Sequence, residues 1–251
     1  MHKLDHDWNI CLEMGLNHLG SEKNLFEIVQ SIPINYKIAV SIQIREEDFY
    51  IKKNKKLHLD IILIKKIEHL FKSKNIKFGY ALGPIKDLDY LLKANIKPDF
   101  IKLLSISIKD IGFIKKIRSI YKCPFFYSTG LVTEKFIKKK LLFLVRKKDF
   151  LNYTALTHHP YGQNLMTISR FLKIHNNISF GVHSSEKVTS CTAIGLGASK
   201  IFIYVGNKRK KLPDLEHALD LKEIKEFTNI INNCFSALKQ ASQVKKILFR
   251  G

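Results

Sequence analysis

The chain has 251 residues, of which 45% are hydrophobic, and its 43 Lys and Arg against 22 Asp and Glu give a formal net charge of +21. This length suits one large α/β domain, and no segment reaches the roughly 18 apolar residues of a membrane span. The N-terminus has no apolar signal core and the four cysteines form no close pair, so we expect a cytoplasmic protein in a reducing compartment. Because the lysines are spread along nearly every predicted helix, the charge favours anionic substrates over a nucleic-acid interface, which would need clustered basic and aromatic residues.

Short apolar runs alternate with segments of helical periodicity along the whole chain. The predicted strands are Trp8–Glu13, Lys37–Gln43, Lys77–Ala81, Phe100–Leu104, Pro124–Tyr127, Tyr153–Thr157, Ile178–Val182 and Lys200–Val205. The predicted helices are Glu22–Gln30, Leu57–Phe71, Ile85–Lys93, Lys109–Ile120, Thr133–Val145, Leu165–Ile174, Val188–Leu196 and Leu221–Gln240. Eight strand–helix units are the number that a (β/α)8 TIM barrel requires, and an open doubly wound sheet is the alternative. Since no linker divides the chain, we predict a single α/β domain over residues 1–251.

The first predicted strand ends at a carboxylate, Glu13, and runs into a polar loop ahead of the first helix. The loop contains Asn17 and His18, and Ser21 is placed to cap the helix. A carboxylate, an amide and an imidazole at the carboxyl end of a strand suit a ligand site on an α/β scaffold. The alternative is structural, with Glu13 paired to a lysine of a neighbouring strand and the loop residues serving only as caps.

Polar side chains also mark the ends of five later strands. They are Gln43 after the second, Lys102 and Ser105 at the fourth, Ser128 and Thr129 at the fifth, His158, His159 and Tyr161 after the sixth, and His183 after the seventh. In a barrel these positions meet at one end, where the chemistry of the fold lies. A buried lysine needs an anion or a carboxylate, so Lys102 either binds substrate or pairs with Glu13. A Ser-Thr-Gly turn ahead of a helix offers hydroxyls and backbone N–H groups to a phosphate.

The histidines raise the possibility of a divalent-metal site. Imidazoles from the ends of consecutive strands are suitable ligands. Side chains alternate along a strand, so the adjacent His158 and His159 cannot both face the barrel interior. At most two ligands then come from this group, with Glu13 or Asp214 as a possible third.

Taken in order, these positions resemble the catalytic barrel of the N-acetylneuraminate (sialic acid) synthase family, over almost the whole chain. Glu-Met-Gly-Leu-Asn-His-Leu-Gly-Ser at 13–21 is similar to the family's E-I-G-x-N-H-x-G-S opening. The other similar segments are Asp99–Ser105 (D-x-x-K-I-x-S), Tyr127–Gly130 (S-T-G), Gln43 (K-x-Q), Asn164-Leu165 (N-L), and Gly195–Ala198 with Pro213-Asp214 (A-L-G-A … G-P-D).

The resemblance implies an enzyme that condenses phosphoenolpyruvate with an N-acetylated sugar by aldol-type C–C bond formation. It assigns catalysis to Glu13, Lys102 and His183. It assigns substrate binding to Asn17, His18, Gln43, Ser105, Ser128, Thr129, Tyr161 and Asp214. Phosphoenolpyruvate or another small anion and an amino sugar are the expected ligands, and a homodimer is a possible assembly.

Several positions depart from the family pattern. Ser41, Ala81 and Ser107 stand where the family has a lysine, a threonine and a glutamate. Ser185 and Tyr204 stand where the family has its two metal-binding histidines, so we assign no metal ligand although the family uses a divalent metal. The family's C-terminal antifreeze-like domain has no counterpart in this sequence. A divergent synthase is therefore the first hypothesis, and a non-catalytic relative that binds a sugar or phosphate, or serves a synthase as a partner subunit, is the alternative.

Overall fold

Eight parallel strands form a closed barrel in the computed structural model, which describes residues 8–34, 37–85, 89–93, 95–184 and 186–248. The strands are β1 (Ile10–Gly15), β2 (Ile38–Ile44), β3 (Lys77–Leu82), β4 (Phe100–Leu103), β5 (Phe125–Ser128), β6 (Phe150–Thr154), β7 (Ile178–Val182) and β8 (Lys200–Gly206). Each strand pairs with the next, and β1 also pairs with β8, which closes the sheet. A two-residue strand, β9 (Leu219–Asp220), extends the sheet beside β8. The predicted (β/α)8 barrel is confirmed.

Helices follow the strands and cover the outside of the barrel. They are α1 (Glu22–Ser31), α2 (Glu47–Phe49), α3 (Ile61–Ser73), α4 (Asp89–Lys93), α5 (Ile111–Ile120), α6 (Glu134–Phe136), α7 (Met166–Leu172), α8 (Lys187–Gly195) and α9 (Ile224–Leu248). Short helical segments lie at Tyr50–Asn54, Lys55–Leu57, Ser105–Ser107, Ile137–Leu141, Leu142–Leu144, Pro160–Gly162 and Leu221–Glu223. Side-chain caps fix several of the starts, since Ser21, Asp60 and Asp110 each accept a backbone N–H of the first turn.

The sixth strand lies three residues earlier than the sequence predicted. It runs over Phe150–Thr154, where Leu151 pairs with Ile178 and Phe150 with Phe126. The apolar side chains of Ala155 and Leu156 made the later segment look like a strand, but these residues lie beyond the hydrogen-bonded ladder. His158 and His159 therefore belong to a loop and not to a strand end. The predicted helix over 85–93 is described only as α4, and residues 86–88 lie outside the described part of the chain.

Aromatic side chains fill the lower half of the barrel, toward the N-terminal ends of the strands. The buried cluster consists of Trp8, Cys11, Ala39, Phe100, Phe126, Phe150 and Phe202. Phe126 stacks on Phe150 with ring centres 4.4 Å apart. The ammonium group of Lys200 lies 3.9 Å above the Trp8 ring and donates to the Trp8 carbonyl, so this buried cation is satisfied. The interior is a packed core here, and the polar residues lie above it.

The longest helix, α9, begins against the barrel wall. Its first half buries Ile224, Phe227 and Ile231, and it packs beside α8. No helix among the described residues has both the length and the apolar character needed to cross a bilayer.

Candidate active site

A buried ion pair lies at the centre of the upper barrel. Lys102 of β4 donates to Glu13 of β1 with Nζ and Oε2 2.5 Å apart, and the two residues are 2% and 1% exposed. Ser41 of β2 donates to the other carboxylate oxygen, with Oγ 3.4 Å from Oε1. Burial of either charge alone would be costly, so each stabilises the other. The ion pair considered from the sequence as a structural alternative is thus present.

A hydrogen-bonded layer of neutral polar groups continues around the barrel on β5, β6 and β7. Asn152 donates from Nδ2 to the hydroxyls of Ser128 and Thr154, at 3.2 and 3.1 Å, and accepts from Ser179 at 2.9 Å. All four residues are buried. Alternate residues of a strand face the same side, which is why Asn152 and Thr154 both project inward. This network brings Ser128 to the same level as the ion pair.

The other residues of the predicted phosphate turn make internal contacts. The backbone N–H and the hydroxyl of Thr129 both donate to the carbonyl of Asn152, at 3.0 and 3.2 Å. Ser105 is half-buried, and its hydroxyl lies 3.0 Å from the position that a Cβ at Gly130 would take. Gly130 leaves this space open, so Ser105 approaches the turn closely. The two Thr129 donors, however, are already engaged.

The loop after β1 is tied to the loop after β8. Asn17 donates from Nδ2 to the Val205 carbonyl at 3.0 Å and accepts the Asp214 N–H at 3.3 Å. His18 is buried, and its Nδ1 accepts the Gly20 N–H at 2.9 Å. Burial lowers the pKa of His18 to about 4, so it is neutral at pH 7. Both side chains hold the loop in shape, as the structural alternative proposed.

Tyr204 of β8 covers the ion pair from above. Its ring centre lies 5.6 Å from Lys102 Nζ, while the Phe202 ring lies 5.1 Å from the same atom. The Tyr204 hydroxyl lies 3.5 Å from Oε1 of Gln43, and both residues are buried. Gly15 has φ +53°, and a Cβ there would come within 2.7 Å of the Tyr204 ring. Glycine at position 15 therefore makes room for the tyrosine.

Three imidazoles stack beside Tyr204 at the mouth of the barrel. His217 lies beside both His183 and His158, with ring centres 4.7 and 4.9 Å away, and the His158 and His183 centres are 6.4 Å apart, so the three nearly parallel rings form a triangle. The Tyr204 ring meets His217 edge-on at 5.0 Å. At the outer end of the stack, His158 Nε2 lies 3.0 Å from Glu216 Oε2 and Nδ1 lies 3.1 Å from the His183 carbonyl. His183 is thus joined by a histidine that the sequence pattern did not indicate.

The titration behaviour of this cluster is set mainly by burial. Burial lowers the pKa of His183 to about 3, with the neighbouring His217 adding to the effect. Burial likewise lowers the pKa of His217 to about 4. Asp214, whose Oδ1 lies 3.8 Å from His217 Nε2, has its pKa raised to about 6 by burial and by the charge of Glu13. At pH 7 His183 and His217 are neutral, and Asp214 can still take up a proton.

Tyr161 and His159 lie on the outer rim and do not join this group. Tyr161 is 88% exposed, and its ring stacks on His159 at 5.3 Å. Because His158 and His159 both lie in a loop and both are exposed, the expectation drawn from the alternation of strand side chains does not apply to them.

The divalent metal that the resemblance implies does not fit these side chains. In the part of the chain that the structure describes, no three His, Cys, Asp or Glu groups converge on a point where a metal ion could be held. The nearly parallel rings of His158, His183 and His217 form no such set of ligands. Tyr204 provides a phenol with its pKa raised well above the usual range by burial, which is a poor ligand. Ser185 lies outside the described residues.

Sequence reasoning missed Asn152, Thr154, Ser179 and His217. The first two were missed because the sixth strand was placed too late, although Asn152 and Thr154 alternate with apolar residues as inward-facing strand positions do. His217 lies in the loop after β8, where no periodic pattern marks it. Only the folded chain brings it to His183.

Solved structures with the same architecture include enzymes of sugar-acid synthesis. A sialic acid synthetase from Leptospira borgpetersenii in complex with citrate has TM-score 0.80 and 18% identity, covering 97% of this chain and 91% of that one. The spore coat polysaccharide biosynthesis protein spsE from Bacillus subtilis has TM-score 0.78 and 21% identity, covering 94% and 70%. A truncated 3-deoxy-D-arabino-heptulosonate 7-phosphate synthase from Thermotoga maritima has TM-score 0.67 and 16% identity, covering 93% and 88%. At these identities the similarity establishes the fold.

Sequence comparison establishes the family. A comparison with curated proteins gives no significant match. The model of the NeuB family matches residues 32–243, which is more than half of the chain. This match agrees with the resemblance carried by the strand-end motifs. The chain therefore belongs to the NeuB family.

Proposed function

We propose that this protein is a divergent sugar-acid synthase that condenses phosphoenolpyruvate with an N-acetylated sugar. Membership of the NeuB family supports a sugar-acid synthase-like function. The observation that carries the finer proposal is the buried Lys102–Glu13 pair, with the hydroxyl of Ser128 at the same end of the barrel. A cation and hydroxyls at the carboxyl ends of barrel strands are suited to a small phosphorylated carboxylate. The Leptospira synthetase, which has the same fold, forms a complex with citrate, a compact anion.

The charge states at the mouth suggest how protons move in this reaction. The donor's methylene carbon bonds to the acceptor's aldehyde carbon, whose oxygen takes a proton. Water adds to the donor's second carbon and loses one proton, and the resulting hydroxyl gives its remaining proton to phosphate as the carbon–oxygen bond to phosphate breaks, which leaves the keto acid. Asp214, with its pKa raised to about 6 by burial and Glu13, is the group that can donate near neutral pH. His183, with its pKa lowered to about 3 by burial, is neutral at pH 7 and a weak base, so it would serve the reaction through hydrogen bonds and not by taking up a proton.

In this proposal Lys102 binds the anionic donor, and Glu13 and Ser41 keep the ammonium in position. Gln43 lies near the end of β2, and Asn17 and Asp214 lie in the joined loops after β1 and β8; these are the elements that would meet the sugar. Roles for Ser105, Thr129, His18 and Tyr161 stay predictions, and so do a homodimer, a single domain over the full chain and a cytoplasmic location. No step is assigned to a metal.

Calorimetric titration with phosphoenolpyruvate, with and without manganese, tests this function together with an assay for phosphate release over a panel of N-acetylated hexoses. Lys102→Met should weaken donor binding by about tenfold or more, since a charge-assisted contact contributes roughly 1.5–3 kcal/mol. Lys200→Met is the matched control because it removes a buried lysine at the opposite end of the barrel. Equal losses in the two variants, or a wild type that neither binds nor turns over, would reject the proposal.

The second candidate is a non-catalytic relative that binds a sugar or phosphate or serves a synthase as a partner. The observations that favour it are the near-complete burial of Lys102 and the internal use of both Thr129 donors. Binding of phosphoenolpyruvate or inorganic phosphate without phosphate release from any acceptor would support this candidate.

A further inference from the structure

Lys102 is almost inaccessible to solvent at the mouth of the barrel. A ligand anion has to reach the ammonium group, yet Lys102 is 2% exposed and Glu13 is 1% exposed. Glu13 and Tyr204 are register partners on β1 and β8, and Phe202 precedes Tyr204 by two residues on the same interior face. The Lys102 ammonium therefore has one aromatic ring below it and one toward the mouth.

Tyr204 is closely packed along its ring. Gly15 lies against it so closely that a Cβ there would come within 2.7 Å of Cδ1 and Cε1. His217 contacts the ring edge-on at 5.0 Å, and His183 lies 6.0 Å away. The packed ring is 7% exposed, and its centre lies 5.6 Å from the ammonium group of Lys102, which is 2% exposed.

The tip of the same side chain is held much less well. The hydroxyl contacts Gln43 Oε1 at 3.5 Å, which is the outer limit for a hydrogen bond, and O–H···O bonds are normally shorter than 3.0 Å. The hydroxyl therefore adds little to the stability of this position, and the side chain is held mainly by the packing of its ring. Rotating the ring away would uncover the ammonium group below it.

We propose that Tyr204 is a gate over the ion pair, and that its displacement admits a small anion to Lys102. This inference rests on the proposed function only in taking Lys102 as the anion-binding cation. The closed gate keeps water from the Lys102–Glu13 pair, and the open gate frees the Gln43 amide to contact the incoming ligand. Tyr204 thereby selects among ligands. A ligand reaches Lys102 only if its free energy of binding exceeds the cost of displacing the packed ring.

The test measures access to Lys102 without any catalytic readout. Lys102 is acetylated with a small amine-reactive reagent and quantified by peptide mass spectrometry, with exposed Lys138 as the internal reference. Tyr204→Ala should label at Lys102 about tenfold faster than wild type or more, since reaction at a covered amine is limited by opening. Tyr204→Phe, which removes only the long hydrogen bond, should give a smaller increase. Tyr127→Phe is the matched control, a fully buried tyrosine whose hydroxyl bonds the Leu144 carbonyl outside the barrel.

Titration of the same variants with inorganic phosphate separates the gate from the proposed function. Faster labelling and tighter phosphate binding in Tyr204→Ala, with no phosphate release from phosphoenolpyruvate in the presence of any acceptor, would support the gate and reject the function, whereas the absence of anion binding in every variant would reject both. If anion binding depends on Lys102 but a folded Tyr204→Ala variant labels at the wild-type rate, the gate is overturned. The proposed function is not affected by that result. If Tyr204→Ala fails to fold, Tyr204→Phe decides, and labelling equal to wild type would overturn the gate.

Discussion

The two halves of the barrel interior are formed by the same strands but are filled with different kinds of side chain. Below, five aromatic side chains pack together and the buried cation of Lys200 is satisfied by Trp8. Above, the interior holds an ion pair, a layer of amide and hydroxyl groups, and a tyrosine with one long hydrogen bond. Buried polar groups cost more than apolar ones unless they are fully bonded. The lower half therefore serves stability, and under the proposed function the polar groups of the upper half serve a ligand.

The largest expected effect comes from breaking the ion pair of the upper half. Lys102→Met leaves the Glu13 carboxylate buried and unpaired, which should lower the free energy of unfolding by about 3–5 kcal/mol. Urea denaturation measures the loss. The double variant Glu13→Gln, Lys102→Met removes both charges and should recover most of it. A loss in Lys102→Met that the double variant fails to recover would show that the pair is not the cause.

An equally large loss of stability without a loss of binding is expected from the lower half. Phe126→Ala removes a ring that is 1% exposed and stacked on Phe150, and should cost about 3–5 kcal/mol. Calorimetric titration with phosphoenolpyruvate should give a dissociation constant close to that of wild type. Weakened binding in folded Phe126→Ala would contradict the separation of the two halves.

The histidine stack should make the folded state sensitive to acid. The pKa of His217 is lowered by burial to about 4, so below pH 6.5 the unfolded state binds a proton that the folded state does not, and stability falls. The free energy of unfolding should fall by roughly 1–2 kcal/mol less in His217→Asn than in wild type between pH 6.5 and 4.5. Urea denaturation over this range is the measurement.

Asp214 provides a control, because its titration should change the free energy of unfolding on acidification in the opposite direction to that of His217. Its pKa is raised by burial and Glu13 to about 6, so on acidification the folded state takes up a proton before the unfolded state and gains stability. Asp214→Asn should therefore make the acid loss steeper. Parallel pH profiles for the two variants would argue against the charge states assigned to the cluster.

The smallest effect is expected from the neutral layer. Ser128→Ala removes the hydroxyl that accepts from Asn152 and should cost about 0.5–1.5 kcal/mol. Thermal unfolding measures the change, and phosphate titration shows whether the hydroxyl also contacts an anion. Ser179→Ala removes another partner of Asn152 and is the matched control. Equal phosphate binding in the two variants would place Ser128 outside the anion site.

The strand-end motifs predicted the fold and the possible contact between Glu13 and Lys102. Alternating apolar strands and amphipathic helices require a barrel or an open sheet, and eight units favoured the barrel. Glu13 and Lys102 are 89 residues apart in the chain, yet each ends an apolar strand, so the fold alone was enough to predict that they could meet.

The contacts between loop residues could be learned only from the tertiary structure. His217 and His158 come from different, aperiodic loops, and nothing in their spacing shows that both rings stack on or near His183. The position of Tyr204 was known from the sequence, but its packing against Gly15 and over Lys102 depends on the closure of β1 onto β8. Periodicity determines which strand face a residue occupies, whereas the contacts between loops depend on long-range packing, which no local pattern encodes.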